Sequence, residues 1–120
     1  MSSNGTHPSY VIGTDEYSRQ QRADRGFSTQ DTFSFDTYIA GVIAGGVREL
    51  QRRGMGCPGS FMDSTGMTVE ERTDRWRELL GEMAGGFEAY VEADAWGVEP
   101  PAMFPEAMGL FVQWFGALWD

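Results

Sequence analysis

Between Trp76 and Val91 the large apolar residues Trp76, Leu79, Leu80, Met83, Phe87, Tyr90 and Val91 recur at three- and four-residue steps. At ~100° per residue that spacing lays them on one helical stripe about 120° wide. Asp74, Glu78, Glu82, Glu88 and Glu92 project onto the opposite side. A strand would scatter the same residues over both of its faces. The segment is therefore read as a two-faced helix, and the rest of the chain must supply something for its oily face to pack against.

The ends of that helix are signposted. Thr68 followed by Glu71 is a capping box. Asp94 falls back onto the apolar side and Gly97 follows, so regular helix is expected over 68–94. A first helix is expected over 34–53, with Phe35, Tyr38, Ile39, Val42, Ile43, Gly46, Val47 and Leu50 as its inward stripe. Gly54 marks its stop, with Arg52 and Arg53 favourably placed at the negative end. Gly41, Ala44 and Gly45 project off that stripe, beside Arg48 and Arg52. After Pro100 and Pro101 force an extended crossing, Pro105 suits the first turn of a third helix over 105–119. Its stripe is Met108, Phe111, Val112, Phe115, Leu118 and Trp119. The stretch from Gly54 to Gly66 reads as a loop pinned by Phe61 and Met62. Residues 1–30 are polar without a sustained period, apart from Tyr10-Val11-Ile12 and Phe27. The expected fold is all-α: a three-helix bundle over 31–120 with an extended polar N-terminal arm over 1–30.

Charge narrows the function classes. The net charge is −9, and the last basic residue is Arg77. From Glu78 onward there are eight carboxylates and no Lys, Arg or His. Such a surface repels phosphate backbones and anionic lipid and attracts basic protein surfaces. No direct nucleic-acid readout and no membrane association are expected. The longest apolar stretch, Ala107 to Trp119, is shorter than the ~20 residues a bilayer span needs. Nor does the N-terminus carry the basic and apolar regions of a signal peptide, so a soluble, intracellular protein is expected. Cys57 is the single cysteine, which precludes an internal disulfide. The single histidine, His7, lies in the arm, so a Cys–His pair would need the arm to fold back.

Two patterns invite chemistry. Glu78 with Glu82, and Glu88 with Glu92, are i,i+4 carboxylate pairs. Magnesium would need such oxygens converging at ~2.1 Å from more than one helix. These acids point away from the bundle, so a solvated face is the simpler reading; no metal, cofactor or catalytic residue is assigned. The second pattern is glycine within helices: Gly41, Gly45 and Gly46, then Gly81, Gly85 and Gly86. Each forgoes ~1 kcal/mol against alanine, which something should offset. One reading is internal packing. The other is a groove of Gly81, Gly85 and Ala89 flanked by Glu78, Glu82, Glu88 and Glu92, into which a partner's basic side chains would dock. Trp96, in the linker, and Trp114, at the edge of the third stripe, are candidate interface anchors.

The runs Ser34-Phe35-Asp36-Thr37-Tyr38-Ile39-Ala40 and Val42-Ile43-Ala44, the loop Gly56-Cys57-Pro58, the run Gly86-Phe87-Glu88 and the terminal Phe115-Gly116-Ala117-Leu118-Trp119-Asp120 carry a resemblance. Over roughly residues 33–120 the chain resembles a set of small, uncharacterised all-α proteins encoded by bacteriophages of Gram-positive hosts. The resemblance implies a phage origin and no established activity, and it transfers no functional residues.

The leading expectation is a non-enzymatic phage accessory protein in the host cytoplasm. It would bind a host or phage protein with a basic surface through Asp74, Glu78, Gly81, Glu82, Gly85, Glu88, Glu92 and Trp96. It would thereby act as a nucleic-acid mimic against a host or defence protein in host takeover. The alternative is a virion or assembly component that self-associates through Gly41, Ala44 and Gly45 as a homo-oligomer. A Mg²⁺-dependent hydrolase is a third reading.

Overall fold

A computed structural model describes residues 15–119 of the chain. Among them are four α-helices and no strand: α1 (Glu16–Arg25), α2 (Phe35–Arg53), α3 (Val69–Trp96) and α4 (Met103–Trp114). Short 3-10 helices cover Gln30–Ser34 and Phe115–Ala117. The all-α expectation holds; α2 and α3 begin and end within two residues of their expected limits, whereas α4 starts two residues early and ends at Trp114, five residues before its expected end. Tyr10-Val11-Ile12, His7 and Asp120 lie outside the described residues. The chain divides into two compact units, with Tyr38 the last residue of the first and Ile39 the first of the second.

In the first unit, α1 is a helix where the hydrophobic period gave no sign of one. Its sequence, EYSRQQRADR, has no apolar stripe. It is built from its ends: the Asp15 side chain accepts from the Ser18 amide at 2.9 Å, and Arg22 and Arg25 occupy the last turn. Gly26 then takes a φ of 91°, and its N–H caps the Arg22 carbonyl. The interior of this unit is polar. Asp31 is 1% exposed. It accepts from Arg22 Nε at 2.9 Å and Nη2 at 2.5 Å, and from the Ser28 amide at 2.8 Å. The Arg22 guanidinium, with help from Ser28, holds the Asp31 carboxyl below its ordinary range. Tyr38 donates its hydroxyl to the Gly26 carbonyl at 2.8 Å, closing the unit.

The second unit holds the apolar core. Trp76, Leu79, Leu80, Met83, Ala84 and Phe87 of α3 are buried with Ala107 of α4, Phe61 of the loop, and Ala40, Ala44 and Val47 of α2. Phe61, Trp76 and Trp114 meet edge to face, with centroids 5.2 to 5.4 Å apart. The inward stripe of α3 is the one its period predicts.

That of α2 is not. Its most buried residues, Ala40, Ala44 and Val47, lie roughly 130° around the helix from the Ile39–Val42–Gly46 line. Val42 is 58% exposed. Two polar residues set the rotation. Gln51 donates to the Arg77 carbonyl at 3.2 Å, and Arg48 grips Glu88, so the side of α2 that carries them must face α3. Ala40 and Ala44, on the same side, are buried in the core.

Candidate protein-binding surface

The outer side of α3 is assembled from an N-terminus that obeys helix electrostatics and a C-terminus that does not. At the start, Thr68 Oγ1 accepts from the Glu71 amide at 3.1 Å. Glu71 Oε1 returns the bond from the Thr68 amide at 2.8 Å. At the end, Glu92 and Asp94 occupy the last two turns and no basic residue does. A helix C-terminus carries roughly −0.5 of a charge, so carboxylates there are repelled.

Asp74, Glu78, Glu82, Glu88 and Glu92 are all exposed, as their placement opposite the stripe requires. Their partners differ. Glu78 is ion-paired with Arg75. Glu88 accepts from Arg48 Nε at 3.0 Å and Nη2 at 2.7 Å, a bidentate pair that lowers the Glu88 carboxyl below its ordinary range. Glu92 Oε2 accepts the Trp96 indole N–H at 2.6 Å. Asp74 and Glu82 make no hydrogen bond or ion pair among the described residues. No group of three His, Cys, Asp or Glu able to hold a metal ion occurs among those residues.

The expected glycine groove is filled by the chain itself. A Cβ on Gly81 would sit 2.5 Å from Gln51 Nε2, and one on Gly85 would sit 3.5 Å from Met103 Cε. A Cβ on Gly86 would collide with the Ala107 Cβ at 2.2 Å and the Met103 carbonyl oxygen at 2.4 Å. Gly86 therefore admits α4, and Gly81 leaves room for the Gln51 side chain, whereas a Cβ on Gly85 would make only ordinary contact. By contrast, a Cβ on Gly41, Gly45 or Gly46 would meet nothing within 4 Å. Gly41 and Gly45 are exposed, but Ala44 is buried in the core and cannot line an outer surface with them.

Trp114 belongs to the core cluster, whereas Trp96 is 74% exposed. Past Trp96 the chain turns on Gly97, with φ 66°. The Val98 amide then bonds back to the Ala93 carbonyl at 3.0 Å, and the Gly97 amide to Asp94 at 3.1 Å. This turn shapes an open cleft of about 500 Å³ lined by Glu92, Ala93, Trp96, Val98, Glu99 and Pro101. The sequence marked Trp96 but not this cleft, which depends on Val98 folding back; Gly97 after a helix was the available signal. A second cleft, of about 370 Å³, is walled by Leu50, Cys57, Pro58, Trp76 and Trp119, with no charged side chain lining it among the described residues. No helix among the described residues is long and apolar enough to cross a membrane.

Comparison with protein-family models, with curated proteins and with solved structures finds no match.

Proposed function

We propose that this protein acts by binding another protein that presents a basic surface, using the outer side of α3. The supporting observation is a line of exposed carboxylates in which Asp74 and Glu82 have no internal partner among the described residues, while the chain supplies no Lys, Arg or His after Arg77 and Arg48 of α2 meets the line at Glu88. Charge of this kind steers a basic partner and sets its on-rate. Glu78 and Glu88 contribute less, because Arg75 and Arg48 neutralise them. On the reading that the chain is phage-encoded, the partner is a host or phage protein in the host cytoplasm, and a partner that grips nucleic acid through the same basic surface is displaced from it.

The test compares the chain with a D74N/E82Q/E92Q variant and with a charge-matched D63N/E70Q/E106Q control in affinity capture from host lysate. Capture that is lost in the first variant and at high salt, but kept in the control, supports the proposal. Equal capture by all three overturns it.

Self-association is the second reading, favoured by one observation. Gly41, Gly45 and Gly46 have open space beside them and exposed Ile39 and Val42 nearby on α2. On this reading a second copy, in a virion or an assembly intermediate, covers that face without Ala44. A sedimentation profile that stays monomeric at high micromolar concentration removes it.

A further inference from the structure

Within the proposed acidic surface, the shelf at the C-terminal end of α3 has a chemistry of its own. We infer that the cleft at Trp96 receives an arginine side chain of the partner protein, stacked on the indole face and held by Glu92 and Glu99. This deepens the proposed function and rests on it.

Three features converge on a planar cation. The indole N–H of Trp96 is already bonded to Glu92, so what the ring offers to solvent is its electron-rich face. Beside it, Val98 and Pro101 line the cleft with apolar surface for an aliphatic stem, and Glu92 and Glu99 line the same cleft. The site also lies at the negative end of a 28-residue helix whose last turn holds acids and no base. Glu92 and Asp94 are placed against the helix dipole there, a small standing cost that an incoming positive charge would reverse. Lysine satisfies the charge but not the flat stacking surface; guanidinium satisfies both.

The test uses full-length protein with ¹⁵N-labelled indoles. The probe is a synthetic acetylated peptide of alternating glycine and arginine, and its citrulline counterpart serves as the uncharged control. The expected result is a saturable shift of the Trp96 indole signal with the arginine peptide alone, while the Trp76 signal stays in place. Trp96→Leu, at an exposed position, should keep its melting temperature and weaken peptide binding about three- to tenfold. The inference is overturned if Trp96 does not move, if citrulline moves it equally, or if Trp96→Leu binds as well as the parent. A peptide that shifts amides near Asp74 and Glu82 but not Trp96 would sink the shelf and leave the acidic-face reading standing. Failure of that reading is seen separately, in unchanged capture by D74N/E82Q, which leaves Glu92 and the shelf intact.

Discussion

Arg48 on α2 holds both carboxylate oxygens of Glu88 on α3, at 3.0 and 2.7 Å, and so joins the two helices through residues forty apart in the chain. The same guanidinium donates to Gln51 Oε1 at 2.9 Å, and Gln51 in turn reaches the Arg77 carbonyl. The side chains of the pair are 37% and 48% exposed, so water screens much of their attraction. Glu88→Gln is expected to cost about 1 kcal/mol, the upper end for exposed pairs because the grip is bidentate. Glu82→Gln, with no internal partner, should leave stability unchanged. Thermal denaturation of both variants checks this, and the gap between them should narrow in 1 M salt.

The glycines of α2 and α3 should respond in opposite directions to the same change. Gly45→Ala adds a methyl to open space and removes the helix cost of glycine, a gain of about 1 kcal/mol. Gly86→Ala drives a methyl into Ala107 and the Met103 backbone; the overlap costs about 1–3 kcal/mol beyond that gain. Melting temperatures that rise for the first and fall for the second are expected. A rise in both would mean that α4 is free to move away from α3.

Protonation of Asp31 should release the first unit at low pH. Its carboxyl is held below the ordinary value of 3.8, chiefly by the Arg22 guanidinium. A lowered folded-state pKa means that the stabilising contribution is present above 3.8 and is lost as pH falls through the lower folded value. The Ser28 amide donates to Asp31 Oδ2, so its proton shift reports the titration directly. The expected midpoint lies below 3.8. A midpoint at or above that value would show that Arg22 does not hold the carboxylate. Asp31→Asn should remove the titration and speed amide exchange in α1.

Legibility in the sequence followed the kind of force at work. The inward face of α3 was readable because seven bulky apolar residues outweigh every alternative, and Thr68, Glu71 and Gly97 mark its limits through local backbone chemistry. The face of α2 is legible only in part: Val47, Ile43 and Leu50 do meet the core, but side-chain size is no guide to burial at Ile39 and Val42. Ile39 and Val42 are oilier than Ala40 and Ala44, yet Arg48 and Gln51 bind α3 from the alanine side, and only the three-dimensional partner reveals that. For the same reason the Gly81–Gly85 groove looked open, since nothing in the sequence shows Gln51 and Met103 filling it. Helix α1 escaped notice because it has no oily face at all. Its signature was electrostatic, an aspartate cap before Glu16 and two arginines before Gly26.

Phe61 tests whether the glycine-rich loop is part of the core. It is 4% exposed and meets Trp76 at 5.2 Å and Trp114 at 5.4 Å, edge to face with both. It is followed by Met62 at a φ of 55°, a left-handed conformation that costs a non-glycine residue about 1–2 kcal/mol. The loop keeps that strained residue because Phe61 is anchored between the indoles. Phe61→Ala removes the anchor and leaves a void, at an expected cost of about 3–5 kcal/mol. Phe61→Leu retains most of the volume and should lose about 1 kcal/mol, the share of the edge-to-face contacts. Urea denaturation followed by tryptophan fluorescence measures both, and the alanine variant should emit at longer wavelength as water reaches Trp76 and Trp114. An alanine variant as stable as the parent would show that the loop lies on the core without holding it together.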